Sequence, residues 1–294
     1  MNHALSVIVF SKDRPLQLHG YLESLIFYSG INQSCITAVV KENEFIDYGN
    51  VKKAFQDVKW VIQGDFYTDL INVINNSKDF ILFGCDDVVF TKKFDLNLAI
   101  EILQEDKDIF GLSLRLGKNI KPVPNDLENH KEYISWDWTR TDAPHWNYPW
   151  ELDATIYRKI DILNLLAKIP SSQLKNPNFL EGLIADDSQK TKELIRRKKL
   201  SSFYTSNCVV ITVNRVQETH PNNFDSTGHS DIYSLNKEYS RGNRLDIPAI
   251  SKMNKNVIHV GADYFILTLR KKGFYLMKLR KWLGKIKKII KKNL

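Results

Sequence analysis

Short apolar runs alternate with longer amphipathic stretches from residue 5 to residue 114. Residues 5–10 form a β-branched apolar run that reads as a buried strand. It ends at Ser11-Lys12-Asp13-Arg14-Pro15, where Pro15 can open a helix with its apolar positions at Leu18, Leu22, Leu25 and Ile26. Further strands are predicted over 36–40, 59–62, 80–83 and 109–114. Helices are predicted between them over 51–57, 69–75 and 94–104. This alternation predicts an α/β fold, with a parallel or mostly parallel sheet covered by helices on both faces.

The regular pattern stops near Gly117. Residues 118–149 are rich in Pro, Asn, Asp and Trp and follow neither the helix nor the strand period. A structureless stretch of that length inside a compact domain is functional or flexible. Trp136, Trp138, His145, Trp146, Tyr148 and, just beyond it, Trp150 make it unusually aromatic. Strand signals return at 154–157 and 208–213. A helix is predicted over 180–198, and its basic end at Arg196, Arg197, Lys198 and Lys199 suits the helix dipole. Residues 220–243 are polar and read as partly irregular. The expected organisation is one domain over residues 1–265, with halves 1–117 and 118–265, followed by a helix over 266–294.

The charge distribution qualifies the net charge. The chain of 294 residues has 42 Lys and Arg against 34 Asp and Glu, a formal charge of +8. Eleven of the basic residues fall in 270–294, where there is no acid, so the rest of the chain sets 31 basic against 34 acidic residues. A nucleic-acid-binding body would carry its basic charge across the folded face, so no nucleic-acid partner is expected. In the tail, Tyr275, Leu279, Trp282, Ile286, Ile289 and Ile290 fall on one helical stripe with lysines around most of the rest. A basic amphipathic helix with an interfacial Trp predicts contact with an anionic membrane surface. Gly273 and Gly284 weaken that helix. Cys35, Cys85 and Cys208 are scattered and form no C-x-x-C pair, which fits a reducing compartment. The N-terminal sequence has no basic leader or small-residue cleavage site. The expected location is therefore cytoplasmic, peripheral at the inner face of the cell membrane.

The sharpest chemical signal is Phe80-Ile81-Leu82-Phe83-Gly84-Cys85-Asp86-Asp87-Val88-Val89-Phe90. An apolar strand here delivers two adjacent carboxylates to its C-terminal end, where open α/β sheets bind ligands. Like charges raise each other's pKa, and a divalent cation such as Mg²⁺ or Mn²⁺ would relieve them while bridging to substrate phosphates. The alternative is a strand-end turn in which Asp86 caps the following segment.

The order and spacing of these motifs over residues 5–213 resembles the GT-A glycosyltransferases, nucleotide-sugar-dependent enzymes broadly like family 2. The resemblance implies a Rossmann-like, mostly parallel sheet and a divalent metal cofactor. It also implies a nucleotide-sugar donor, a UDP-sugar first, and a glycan or lipid-linked acceptor, with bacterial surface polysaccharide or lipopolysaccharide assembly as the setting. It places Ser11, Asp13 and Arg14 near the nucleotide. The family's Asp-x-Asp motif falls on Cys85-Asp86-Asp87, with a cysteine in place of the first acid, so Asp87 is implied as the metal ligand and Asp86 as the ribose or sugar contact. A family acid near a helix start implies Glu181 as the acid nearest the reacting sugar and Asp153 as an acceptor contact or second base. His220 and His259 are candidate third metal ligands, with His220 preferred, and Arg215 or Arg241 is suited to the leaving diphosphate. The aromatic loop reads as an acceptor lid in which Trp146 and Trp150 stack on sugar rings, or alternatively as a small satellite core. Two rival functions stand beside this reading: a sugar-nucleotide nucleotidyltransferase and a non-catalytic, membrane-associated sugar-binding protein.

Overall fold

The computed structural model describes residues 4–185, 188–213, 231–253 and 256–270. The first half runs β1 (Leu5–Lys12), α1 (Pro15–Ser29), β2 (Ile36–Lys41), α2 (Gly49–Ala54), β3 (Lys59–Ile62), α3 (Phe66–Asn75), β4 (Phe80–Cys85), β5 (Val88–Phe90), α4 (Leu96–Glu105) and β6 (Ile109–Ser113). The second half adds β7 (Glu128–Asn129), β8 (Tyr133–Asp137), β9 (Thr155–Arg158), α5 (Lys159–Leu166), α6 (Pro177–Ala185), α7 (Ser188–Leu194), β10 (Lys199–Phe203) and β11 (Cys208–Ile211). It closes with α8 (Ile232–Ser240), β12 (Asn243–Leu245), α9 (Ile247–Lys252), β13 (His259–Val260) and β14 (Leu267–Leu269).

Nine strands form the main sheet in the order β3-β2-β1-β4-β9-β6-β10-β8-β7. β1 through β4 are mutually parallel where they pair; β1, β2 and β4 are largely apolar and buried, as parallel strands inside a sheet are, while edge strand β3 is partly exposed. Two of the helices start where the sequence supplies side-chain caps: Asp65 accepts from Thr68 N at 2.9 Å before α3, and Asp95 from Asn97 N at 2.8 Å before α4. Gly30, with φ of 70°, ends α1 in the left-handed conformation that glycine adopts without penalty. β9 is the exception in the sheet centre, antiparallel to both β4 and β6. A smaller sheet, β13-β11-β5, packs beside the end of β4.

The expected α/β architecture, a mostly parallel sheet with helices around it, is therefore observed. The reading of residues 118–149 is corrected. They contain β7 and β8, and the tryptophans are core: Trp136, Trp146 and Trp150 are 0% exposed and Trp138 is 3% exposed. Trp136 Nε1 donates to Trp146 O at 2.8 Å, and Trp150 Nε1 donates to Leu180 O at 3.1 Å. Trp150 packs its ring against Phe83 and Tyr157. Trp146 and Trp150 are thus not acceptor-stacking residues: both are fully buried in the apolar core, Trp150 against residues of β4, β6 and β9. The helix expected over 180–198 is two helices, α6 and α7, and the basic residues from Arg196 onward follow α7 instead of ending it. Residues 267–269, expected in the C-terminal helix, form β14, paired with β12. The rest of the basic stripe, from 271 on, lies outside the described residues, as do Arg215 and His220. Among the described residues no helix is long and apolar enough to cross a membrane.

Candidate active site

The topology gathers chemistry at one sheet edge. β1, β4 and β6 all point their C-terminal ends the same way, and antiparallel β9 begins there. Residues just after β1, β4 and β6 and just before β9 therefore converge: Arg14, Asp86-Asp87, Arg115 and Asp153. Ala154 N donates to Phe83 O at 3.0 Å, which fixes Asp153 beside the acidic turn. β11 and β13 add Val210, Thr212 and His259 from the small sheet, and Ile211 N donates to Asp87 O at 2.8 Å.

These elements enclose a cleft of about 340 Å³. It is lined by Ser11, Lys12 and Arg14 from the end of β1, by Gln63 after β3, by Cys85 and Asp87 from the end of β4 and by Asp153 before β9. Pro177, Asn178, Glu181 and Gly182 of α6 also line it. An adjoining cavity of about 200 Å³ shares Tyr148, Asp153, Glu181 and His259 with the cleft and is lined as well by Arg115 and His145.

Of the expected site residues, the structure brings Ser11, Arg14, Asp87, Asp153 and Glu181 to this one cleft. Three placements differ in detail. Asp86 is 0% exposed and sits behind the cleft wall; its carboxylate takes a hydrogen bond from Ser11 Oγ at 2.6 Å and an ion pair from Arg14, so it offers no atom to a ribose. Strand alternation is the reason: Cys85 faces the cleft, Asp86 the opposite side, and the turn after β4 brings Asp87 back. Asp13 is also turned away. It has a left-handed φ of 56°, and its Oδ1 accepts from Asn43 N at 2.9 Å, tying the β1 exit to the end of β2. Glu181 lies in the second turn of α6, past the helix start where it was expected. Arg241, the other candidate diphosphate contact, pairs with Glu238 at 2.6 Å at the end of α8, not in the cleft.

The electrostatics follow from crowding acids at a partly dry edge. Burial pushes the Asp86 carboxyl up to about 6 against the pull of Arg14. Burial, then the charge of Asp87, pushes Asp153 up to about 6, while Arg115 and the Cys85 thiol favour its ionised form. The Cys85 thiol is itself held well above its ordinary pKa by burial and by Asp153, Asp87 and Glu181, so it is not a thiolate ligand in this state. His145 is lowered by burial and by Arg115 and is neutral at pH 7.

Among the described residues Asp87 Oδ1 and Asp153 Oδ1 are buried acceptors with no hydrogen-bond partner. Among the described residues no three His, Cys, Asp or Glu side chains form a ready-made metal cage. Mg²⁺-type ions use one or two carboxylates and complete their shell with water and substrate phosphates, so this pair of open acceptors fits such an ion.

Sequence reasoning missed Arg115 and Glu151. Arg115 forms a fully buried ion pair with Glu151, whose Oε1 also accepts from Ser113 Oγ at 2.9 Å and from Thr155 Oγ1. A lone charged residue after an apolar strand has no periodicity or motif of its own. The one available signal was that Arg115 follows β6 at the same edge as the acidic turn.

No family model matches the chain. A curated protein, the bifunctional glycosyltransferase pgtA of Dictyostelium discoideum, is 27% identical over 305 aligned residues, covering 88% of this chain. The chain spans 39% of the length of that relative. Among solved structures, S. aureus TarS 1-349 in complex with UDP matches 69% of this chain and 59% of its own, with 16% identity and a TM-score of 0.45. The mannosyltransferase PcManGT from Pyrobaculum calidifontis, in complex with GDP-Man and Mn²⁺, matches 70% of this chain and 56% of its own, with 12% identity and a TM-score of 0.39. In sequence over most of its length, and in its mostly parallel sheet with an acidic turn at the end of β4, this chain resembles the GT-A-type glycosyltransferases.

Proposed function

We propose that the chain transfers a sugar from a nucleotide diphosphate-sugar, a UDP-sugar in the first instance, to a glycan or lipid-linked acceptor. The observation that supports this is the meeting of Asp87, Asp153 and Glu181 in one cleft that also carries Lys12 and Arg14. The basic groups suit a diphosphate, and the acids suit a metal and a sugar. The part of the cleft beside Lys12 and Arg14 then takes the nucleotide, and the adjoining cavity the transferred sugar.

Asp87, with Asp153 beside it, would hold a Mg²⁺ or Mn²⁺ ion, which when bound neutralises charge on the diphosphate leaving group. Arg14 supplies fixed positive charge in the same cleft, and fixed charge stabilises the transition state without reorganisation. Glu181 lines both the cleft and the adjoining cavity and is the proposed general base. Asp153 orients the sugar or serves as the second base. Arg115, anchored by Glu151, keeps Asp153 ionised at neutral pH. The basic stripe of residues 271–294 supports work at an anionic membrane surface on the cytoplasmic face, in surface-polysaccharide or lipopolysaccharide assembly.

The test is nucleotide release. Purified protein incubated with UDP-sugars and Mn²⁺ should liberate UDP slowly without acceptor, and Asp87→Ala should reduce that release at least about a hundredfold. No release and no binding across a panel of UDP- and GDP-sugars would refute the reading.

A further inference from the structure

Four residues close a ring of three hydrogen bonds and one ion pair behind the acidic turn. The Arg14 backbone N–H donates to Tyr48 Oη at 3.1 Å. The Tyr48 and Ser11 hydroxyls are 2.6 Å apart, and Ser11 Oγ donates to Asp86 Oδ2 at 2.6 Å. Because the Ser11 proton goes to Asp86, the proton between the two hydroxyls is Tyr48's. Asp86 Oδ1 pairs with Arg14 Nη2, which returns the ring to its start. The ring joins the end of β1, the start of α1, the approach to α2 and the end of β4. Tyr48 and Asp86 are 0% exposed. The other arm of the guanidinium, Nη1, lies on the cleft side, 3.6 Å from Asp87 Oδ2.

Both Asp86 oxygens are engaged inside the protein, yet burying a carboxylate is costly. That cost makes sense if its product is the fixed guanidinium. A free arginine side chain loses rotamer entropy when it is immobilised on a ligand. Held by Asp86 beforehand, Arg14 loses little more on binding. We propose that Asp86 is a positioning residue that acts through Arg14, aiming the guanidinium at the diphosphate of the nucleotide, and touches neither ribose nor sugar. The inference rests on the nucleotide-sugar reading above and deepens it.

The test is a double-mutant cycle read by calorimetric binding of UDP and of GDP to the full chain with Mg²⁺. Arg14→Met should weaken the preferred nucleotide by about ten- to a hundredfold. Asp86→Asn, which keeps shape, should weaken it about tenfold and raise the donor KM more than it lowers kcat. The double variant should bind no more weakly than Arg14→Met alone, because Asp86 has nothing left to position. Tyr48→Phe should cost a few-fold in the wild-type background and nothing in Arg14→Met. Losses that multiply in the double variant, or an Asp86→Asn protein that binds like wild type, overturn the proposal. If Asp86→Asn fails to fold, judged by thermal melting, the Tyr48→Phe cycle decides in its place. A wild-type protein that binds neither UDP nor GDP sinks the nucleotide reading and this inference with it, an outcome distinct from a wild type that binds and a cycle that adds.

Discussion

Asp153 shows how the site sets stability against readiness. Its carboxyl, at 3.8 in the ordinary state, is pushed up to about 6 in the fold. An acid whose pKa rises on folding holds its proton more tightly in the native state. Its stabilising contribution is present below about pH 4 and is lost as the pH climbs through 6. In metal-free buffer the wild-type protein should therefore melt at a lower temperature at pH 7 than at pH 5. Asp153→Asn should flatten that slope in part only, because Asp86 is shifted in the same direction. UDP release by the wild type should rise through pH 6 as Asp153 ionises, and the Asn variant should lose it at every pH. An unchanged melting slope in Asp153→Asn would mean that its carboxylate is not strained. Trp150 makes a second residue-scale case. If it stacked on an acceptor, Trp150→Ala would raise the acceptor KM and leave the fold intact. Its burial predicts instead a loss of about 3–5 kcal/mol in urea unfolding.

At the scale of elements, the end of β4 is the most constrained part of the sheet. A Cβ added at Gly84 would collide with the hydroxyl end of Tyr21, a fully buried side chain of α1. Gly84→Ala should cost about 1–3 kcal/mol by overpacking and shift the turn that carries Asp87. Melting and UDP release should fall together, and an Ala variant with full stability would show that Tyr21 has room to move. Much of the first half was legible because the buried strands β1, β2 and β4 read as apolar runs, Pro15 opens α1, and α3 and α4 carry caps and a clear stripe. The second half was not. β8 and β10 mix Ser, Lys and Asp into their strands, β7 and β13 are too short to show a period, and the tryptophans of 136–150 look like a surface lid until their burial is seen. Asp87 and Arg14 could be found because each sits next to a recognisable strand end. Asp86 was misread because one residue of alternation decides whether a carboxylate faces the cleft or the interior.

For the whole molecule, the division of charge predicts separable behaviour. Removing residues 271–294 takes ten basic residues and no acid, and moves the formal charge from +8 to −2. The truncated chain keeps Arg270, which pairs with Glu23 of α1 at 2.6 Å and secures β14 to the body. It should melt like the full chain and hydrolyse UDP-sugars at the same rate, but fail to sediment with anionic vesicles. Vesicle binding that survives the truncation would place the membrane contact elsewhere. The central position of β9 has a consequence for how such a chain is made. β4 and β6 have no pairing with each other; each is joined to Thr155–Arg158, which emerge from the ribosome long after both. Until then β4 has a bare edge, and β6, whose partners β9 and β10 both follow it in the chain, has no strand partner; each can recruit a stray strand. The arrival of β9, which joins β4 to β6, also sets Asp153 in the cleft, so a molecule that escapes that hazard and one with a complete set of cleft acids are the same molecule.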